Sequence, residues 1–345
     1  MKNIAKLLGL LLLFSAFAMT VSAPVQAKKD FTVSTSSKPY KNKYVKNPVY
    51  NKHTKHYLTL RSYLDEMSKK GGGTLTIKKG TYNISNALLV PSNVKILLQD
   101  GVVMNKIGNS HTKKLKAGHV MFECVRSSRI NKKGVVGKYN GEKNIQIIGE
   151  GTVIMNLSGC NKSEAIRVPH CKNVLIDNIT FTNLRDGHFI EVTASKDVTV
   201  QNCTFKNNLS GERCAINLDT PDKVTNGFNG KYSKFDKTPV LNVTIQNCGF
   251  YNLHRGIDTH RFSPNKYHTN VQILGCTFKD SVQSPIMMLN WKNAVIKGNT
   301  IDTVKGWSTN NIQKEKFAIY MRGGVIDPII SENRMNGVYM PFYAD

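Results

Sequence analysis

The chain has 345 residues, of which 40% are hydrophobic and 21% charged, a balance too apolar for wholesale disorder and ordinary for a folded protein. No apolar run reaches the ~20 residues of a membrane-spanning helix, which argues against an integral helical membrane protein. Lys+Arg number 48 against 23 Asp+Glu, a formal charge of +25 that predicts a polyanionic partner such as nucleic acid, teichoic acid or an acidic polysaccharide.

Residues 1–27 read as a secretory signal peptide: Lys2 and Lys6 precede the apolar run Leu7 to Met19, and Val25-Gln26-Ala27 offers a cleavage site. No cysteine follows that run, so a lipid anchor is not expected. Export makes the protein secreted or cell-wall associated. It also removes nucleic acid from the expected partners and leaves an acidic polysaccharide or cell-wall polymer. Residues 28–56 are rich in Lys, Ser, Thr, Asn and Tyr without a sustained apolar period, and read as a basic flexible arm, with wall binding as its sharper reading. From Leu58 to Lys69, Leu60, Tyr63, Leu64 and Met67 share one helical face, and Gly71-Gly72-Gly73 ends the helix.

The remainder is a repeat. Nine-residue segments of one pattern begin at Asn173, Asp197, Asn242 and Asn270, each ending on a phenylalanine: Phe181, Phe205, Phe250 and Phe278. A fainter copy begins at Asn293, and Asn93-Val94-Lys95-Ile96 and Asn144-Ile145-Gln146-Ile147 look like the same opening strand. Apolar and polar residues alternate in every copy, which is strand chemistry. The opening Asn suits a left-handed turn. A propeller or sandwich needs hairpin turns, and Asn-Gly and Asp-Gly pairs are few, so the spacing predicts a parallel β-helix with the phenylalanines stacked inside. The helix at 58–69 is then a cap over the first coil.

Three sets of residues carry a resemblance: Gly71 to Ile77 with Gly80-Thr81-Tyr82, Gly149-Glu150-Gly151-Thr152-Val153, and the Asn-Cys-Thr-Phe copies. With them the chain resembles the pectate-lyase-like superfamily of secreted β-helix proteins over most of residues 57–340. The resemblance implies an all-β, single-stranded right-handed solenoid over residues 57–345. It leaves function open among lyases, hydrolases, epimerases and non-catalytic surface proteins. No organic cofactor is implied, and a monomer is expected. Seven cysteines exclude a complete disulfide framework, and Cys203, Cys248 and Cys276 occupy the repeat position of Ile179, as buried small hydrophobes do.

A second strand follows each phenylalanine, with an inward series Ile166, Ile190, Ile216, Ile257, Ile286 and Ile319. The next residues point outward: Arg167, Glu191, Asn217, Asp258, Met287 and Tyr320. Two positions on come Pro169, Thr193, Asp219, His260, Leu289 and Arg322. Rungs stack ~4.8 Å apart, so Glu191, Asn217, Asp219, Asp258 and His260 gather on one patch, expected as an exposed groove. Insertions at 220–239 and 261–268 frame it with Phe228, Tyr232, Phe235 and Tyr267, suited to stacking on sugar rings.

Two enzymatic chemistries use such groups. In β-elimination at a uronate, Glu191, Asp219 and Asp258 are candidate Ca²⁺ ligands, and His260, Arg322 or Arg255 the base. Arg167, Asn217, Arg255, Arg261, Tyr267 and Tyr320 are candidate substrate contacts. In hydrolysis, Glu191 and Asp258, two rungs and roughly 9–10 Å apart, approach the inverting separation. Polygalacturonases in the same superfamily carry motifs that fall near Leu184-Arg185-Asp186, Gly211-Glu212-Arg213 and Leu253-His254-Arg255, where only Asp186 keeps the carboxylate type and the histidine is displaced. The expectation is therefore a polysaccharide lyase on an acidic polysaccharide, with a polygalacturonase-like hydrolase and a non-catalytic glycan-binding surface protein as alternatives.

Overall fold

A computed structural model describes residues 28–46, 48–211, 213–259, 262–305 and 317–344. The expected signal segment lies outside the described residues, as do His260, Arg261 and Glu212. Each repeat copy closes one coil of three strands, for example Lys172–Asp177, Thr180–Leu184 and Gly187–Thr193. Corresponding strands of successive coils pair in parallel and build three sheets of eleven, nine and nine strands among the described residues. The first sheet collects the Asn-Val-x-Ile segments, the second the phenylalanine strands, and the third the strands of the isoleucine series.

The residue opening each copy has the left-handed backbone that its side chain tolerates: φ is 61° at Asn93, 55° at Asn144, Asn173, Asp197 and Asn270, and 53° at Asn242 and Asn293. Their side chains also stack outside the turn: Asn144 donates to Asn93 and Asn173 to Asn144, each at 2.8 Å. Inside, Phe181, Phe205, Phe250 and Phe278 form one ladder with ring centroids 4.9, 4.9 and 4.6 Å apart, close to the rung spacing. Cys203, Cys248 and Cys276 lie beside it, buried and unbridged as the repeat position predicts. In the next coil the same place is taken by buried Asn299, whose side chain accepts from the Cys276 backbone N–H at 2.8 Å and donates to the Ile273 carbonyl at 2.9 Å.

The helix spans Lys55–Lys69 and buries Leu58, Leu60, Leu64 and Met67 over the opening of the first coil. Each such side chain contributes roughly 1.5–3 kcal/mol of burial. Gly72 ends it at φ +116°, where a Cβ would lie 2.1 Å from the Asn93 carbonyl oxygen. The segment expected to be a flexible arm is instead folded. Phe31–Val33 adds a parallel strand to Leu75–Ile77, and Phe31, Tyr40 and Tyr63 form a three-ring cluster with centroids 5.2–5.6 Å apart. A three-residue strand and two aromatic anchors outweigh the polar composition around them.

Two long connections leave the coil at the corner between the third and first sheets, at residues 124–142 and 220–240. They clasp each other: the Val136 N–H donates to the Tyr232 carbonyl at 2.9 Å, and the Lys234 N–H to the Val136 carbonyl at 2.8 Å. Under the clasp Leu89, Val125, Val136, Phe228 and Tyr232 make a small apolar cluster of their own. No helix among the described residues is long and apolar enough to cross a membrane.

Candidate functional site

The third sheet reproduces the register read from the isoleucine series. Ile166, Ile190, Ile216, Ile257, Ile286 and Ile319 stack inside, and Glu123, Arg167, Glu191, Asn217, Asp258, Met287 and Tyr320 form one outward row. Thr193 and Asp219 pair in the next outward row. A further outward row escapes strict alternation. Two adjacent residues in each strand are buried in the coil, Ala165-Ile166, Phe189-Ile190 and Ala215-Ile216, because the coil bends there. The bend turns Glu164 and His188 to the outer face, where they line the same cleft as Glu191. The signal in the sequence is the side-by-side apolar pair recurring in every copy.

The expected exposed groove is a covered one. Glu191, Asn217, Asp219 and Asp258 are all buried: the connection at 220–240 brings Gly227 and Phe228 over the first three, and Asp258 packs against Arg255. What remains open is a polar cleft of about 350 Å³ over Glu164, Arg167, His188, Glu191, Asn217 and Asp219, with Phe228 and Gly227 on its loop side. Gly227 is required by close approach, since a Cβ there would lie 2.1 Å from the Thr220 carbonyl oxygen and 3.0 Å from Asp219 Oδ1. Lys162, Asp186 and Arg213 stand at one end, the last two joined at 3.0 Å.

Arg167 organises the floor. Its guanidinium donates two 2.6 Å hydrogen bonds to Glu164, and lies 3.4 Å from Glu191 and 3.5 Å from Glu123. The ring of Phe228 covers it at 5.4 Å, and the Tyr232 hydroxyl donates to Glu123 at 2.7 Å. Three carboxyls around one cation cannot all ionise cheaply. Burial pushes the Glu164 carboxyl up, but the charge and hydrogen bonds of Arg167 outweigh it and bring it down to about 2. Burial, reinforced by the neighbouring Glu164 charge, drives Glu191 well above the carboxylate range. Of the two, Glu164 is the one favoured as carboxylate and Glu191 the one favoured as acid. Burial brings His188 down to about 4, and its Nδ1 lies 3.0 Å from the Cys214 carbonyl oxygen.

Other expected site residues are distributed elsewhere. Asp258 shares Glu191's row but faces Arg255 at 3.1 Å rather than the cleft, and burial raises its carboxyl despite that cation. Met287 separates Asp258 from Tyr320, over whose ring Arg322 sits at 5.4 Å. Arg322 lies three rungs beyond Asp219, roughly 14 Å along the axis. Tyr267 stands near Gly324. Phe228 and Tyr232, expected to stack on sugars, are packing residues of the clasp, and Phe235 carries Lys223 over its ring at 4.7 Å. Among the described residues no group of three or more His, Cys, Asp or Glu is placed to hold a metal ion, so Glu191, Asp219 and Asp258 do not assemble as the expected Ca²⁺ ligand set. His260 and Arg261 lie outside the described residues.

Three parallel sheets wound by a repeating coil define a β-helix protein, and comparison places it more closely. The family described as right handed beta helix region matches residues 122–301, and the chain belongs to it. Plasmin and fibronectin-binding protein A of Streptococcus pneumoniae (strain ATCC BAA-255 / R6) is 26% identical over 267 residues, covering 70% of this chain. The match covers 36% of that protein, so the chain spans little more than a third of its length. Two solved structures of PfbA, a surface adhesin of Streptococcus pneumoniae, share the fold. One has a TM-score of 0.59 at 16% identity over 84% of this chain and 77% of that one. The other has 0.58 at 13% identity over 91% and 99%.

Proposed function

We propose that this protein acts outside the cell on an acidic polysaccharide, cutting a glycosidic bond in the cleft over Glu164, Glu191 and Asp219. The observation that supports it is the split carboxyl pair: one acid held ionised by Arg167 and its neighbour held protonated, on the floor of an open polar cleft. A carboxyl held protonated in this way can serve as the acid, and Asp219, in the next outward row of the same cleft, is the carboxyl available as base.

In this reading Glu191 gives its proton to the bridging oxygen as the bond from that oxygen to the anomeric carbon breaks. A water molecule adds to the anomeric carbon from the opposite face, and its proton passes to Asp219. Two shorter chains leave, Glu191 remains as carboxylate and Asp219 as acid, and exchange with solvent restores both. Glu191 and Asp219 sit on adjacent rungs two positions out of step, which places their backbones roughly 8 Å apart on the same face of the sheet. Lys162 and Arg213 at the cleft end are suited to the negative groups of the substrate. Hydrolysis fits this floor better than elimination because, of the candidate bases, Arg255 is engaged by Asp258 and Arg322 stands over Tyr320, three rungs from Asp219.

A second reading is supported by the relative named for binding plasmin and fibronectin: a non-catalytic adhesin of the cell surface, whose cleft holds a glycan without turnover. One experiment separates them. The protein is incubated with a panel of acidic polysaccharides while reducing ends and near-ultraviolet absorbance are followed. Hydrolysis predicts new reducing ends without absorbance, and their loss in Glu191→Gln. Absorbance would mean elimination, and binding with neither product would favour the adhesin.

A further inference from the structure

The cleft is balanced in charge and leaves the protein's excess of cations unexplained. Part of that excess gathers at the corner where the third sheet turns into the first. Lys143, Lys172 and Lys196 are register partners on three successive rungs, with Lys143 exposed and the other two half-buried. The clasped connections add exposed Lys138 and Lys234 beside them. Of the nearby acids, Glu142 is buried against Arg126 and Arg129 and Asp236 accepts from the Lys138 N–H and from Thr238, while exposed Asp197 pairs with Lys196 at 3.8 Å and makes the third rung the least cationic of the three.

We infer that this corner is a second binding site, a track for a linear acidic glycan that runs parallel to the solenoid axis. Three ammonium groups on rungs ~4.8 Å apart repel one another by about 1 kcal/mol per neighbouring pair even in water, a cost that a bound polyanion reverses. The rung spacing matches a polymer with one negative group per sugar. Along the axis of a nucleic-acid duplex each strand advances about 3.4 Å per charge and falls out of step with the rungs. The next position carries the exposed amides of Asn144 and Asn173 on the first two strands and Asp197 on the third. Each amide uses one N–H in the side-chain ladder and has a second to offer a sugar hydroxyl. This site is separate from the cleft and does not depend on what the cleft does.

The test uses a fluorescent galacturonate dodecamer and the full chain carrying Glu191→Gln, so that no cleavage interferes. Five phosphate-like contacts predict that affinity falls about a hundredfold between 50 and 200 mM salt. Replacing Lys143, Lys172 and Lys196 together by Gln should weaken binding at low salt at least about tenfold and flatten the logarithmic salt slope by about two. Replacing Lys113, Lys114 and Lys116 by Gln removes the same charge elsewhere and should change affinity by no more than about twofold. Should the ladder triple variant fold poorly, Lys172→Gln alone should flatten the slope by about 0.7. Equal losses in both triple variants, no binding of the dodecamer, or tighter binding of a thymidylate dodecamer would overturn the inference.

Discussion

The two faces of the third sheet follow different rules. Inside, one residue type recurs at Ile166, Ile190, Ile216, Ile257, Ile286 and Ile319, while the outward row changes at every rung, from Glu123 and Arg167 through Glu191, Asn217 and Asp258 to Met287 and Tyr320. A close-packed coil makes every rung solve the same packing problem, so its interior repeats. The exterior is free of that demand and holds local arrangements such as the Arg167 cage. The contrast is sharp because the clasp covers the stretch of the outer row around Arg167, so its charges are held in place by partners as firmly as the inner row is held by packing.

Four measurements break or sharpen that comparison. Phe205→Ala opens a hole in the stacked ladder and should cost about 4 kcal/mol in thermal or denaturant unfolding. A loss below about 1 kcal/mol would show that the rungs collapse independently. Arg167→Ala should cost about 3 kcal/mol at neutral pH, since it leaves Glu123, Glu164 and Glu191 covered without their cation. The folded variant then binds protons more readily than the unfolded chain, so its deficit should shrink as pH falls from 7 to about 5. A deficit independent of pH would mean that the side chain acts by packing alone.

Acid should expose another set of buried groups. Burial lowers His188 and His254 to about 4 and His268 to about 3, below the ordinary value of about 6.5. Because the unfolded chain takes these protons first, stability is lost as pH falls from about 6.5 through about 4, on the order of 2–3 kcal/mol for each fully buried ring. His268→Asn keeps an acceptor for the Val240 N–H, 3.1 Å from Nδ1, and should make the acid limb of the unfolding profile shallower. An unchanged limb removes His268 from the explanation. The smallest effect is expected at Asn173, where φ is 55°: Asn173→Ala should cost about 1–2 kcal/mol and Asn173→Gly less, read from unfolding midpoints. Equal costs would assign the whole effect to the lost side-chain ladder.

Much of this was legible in the sequence because a solenoid is nearly one-dimensional. The copies opening at Asn173, Asp197, Asn242 and Asn270 carry the coil, the phenylalanine ladder, the cysteine position and the outward row in their own spacing. What local pattern could not carry is set by contacts between distant segments. The two inward residues at the bend concealed Glu164 and His188, since strict alternation assigns them to the interior. The covering of Glu191 and Asp219 depends on Tyr232 reaching Glu123, 109 residues away. The polar segment before the helix hid Phe31–Val33, whose partners lie more than forty residues downstream.

The clasp also has a consequence for how the molecule is made. Neighbouring coils pair residues about 21–51 positions apart, so the solenoid can grow rung by rung. By contrast, the contact between Val136 and Ser233 spans three intervening coils. Closing a long loop before its intervening coils exist costs chain entropy with no contact yet formed in return, so that contact waits for them. The cleft should therefore be the last part of its region to appear during refolding: the ladder is in place first, and the clasp closes on a finished wall. A chain interrupted before residue 220 would already hold a wound solenoid but no roof over Arg167.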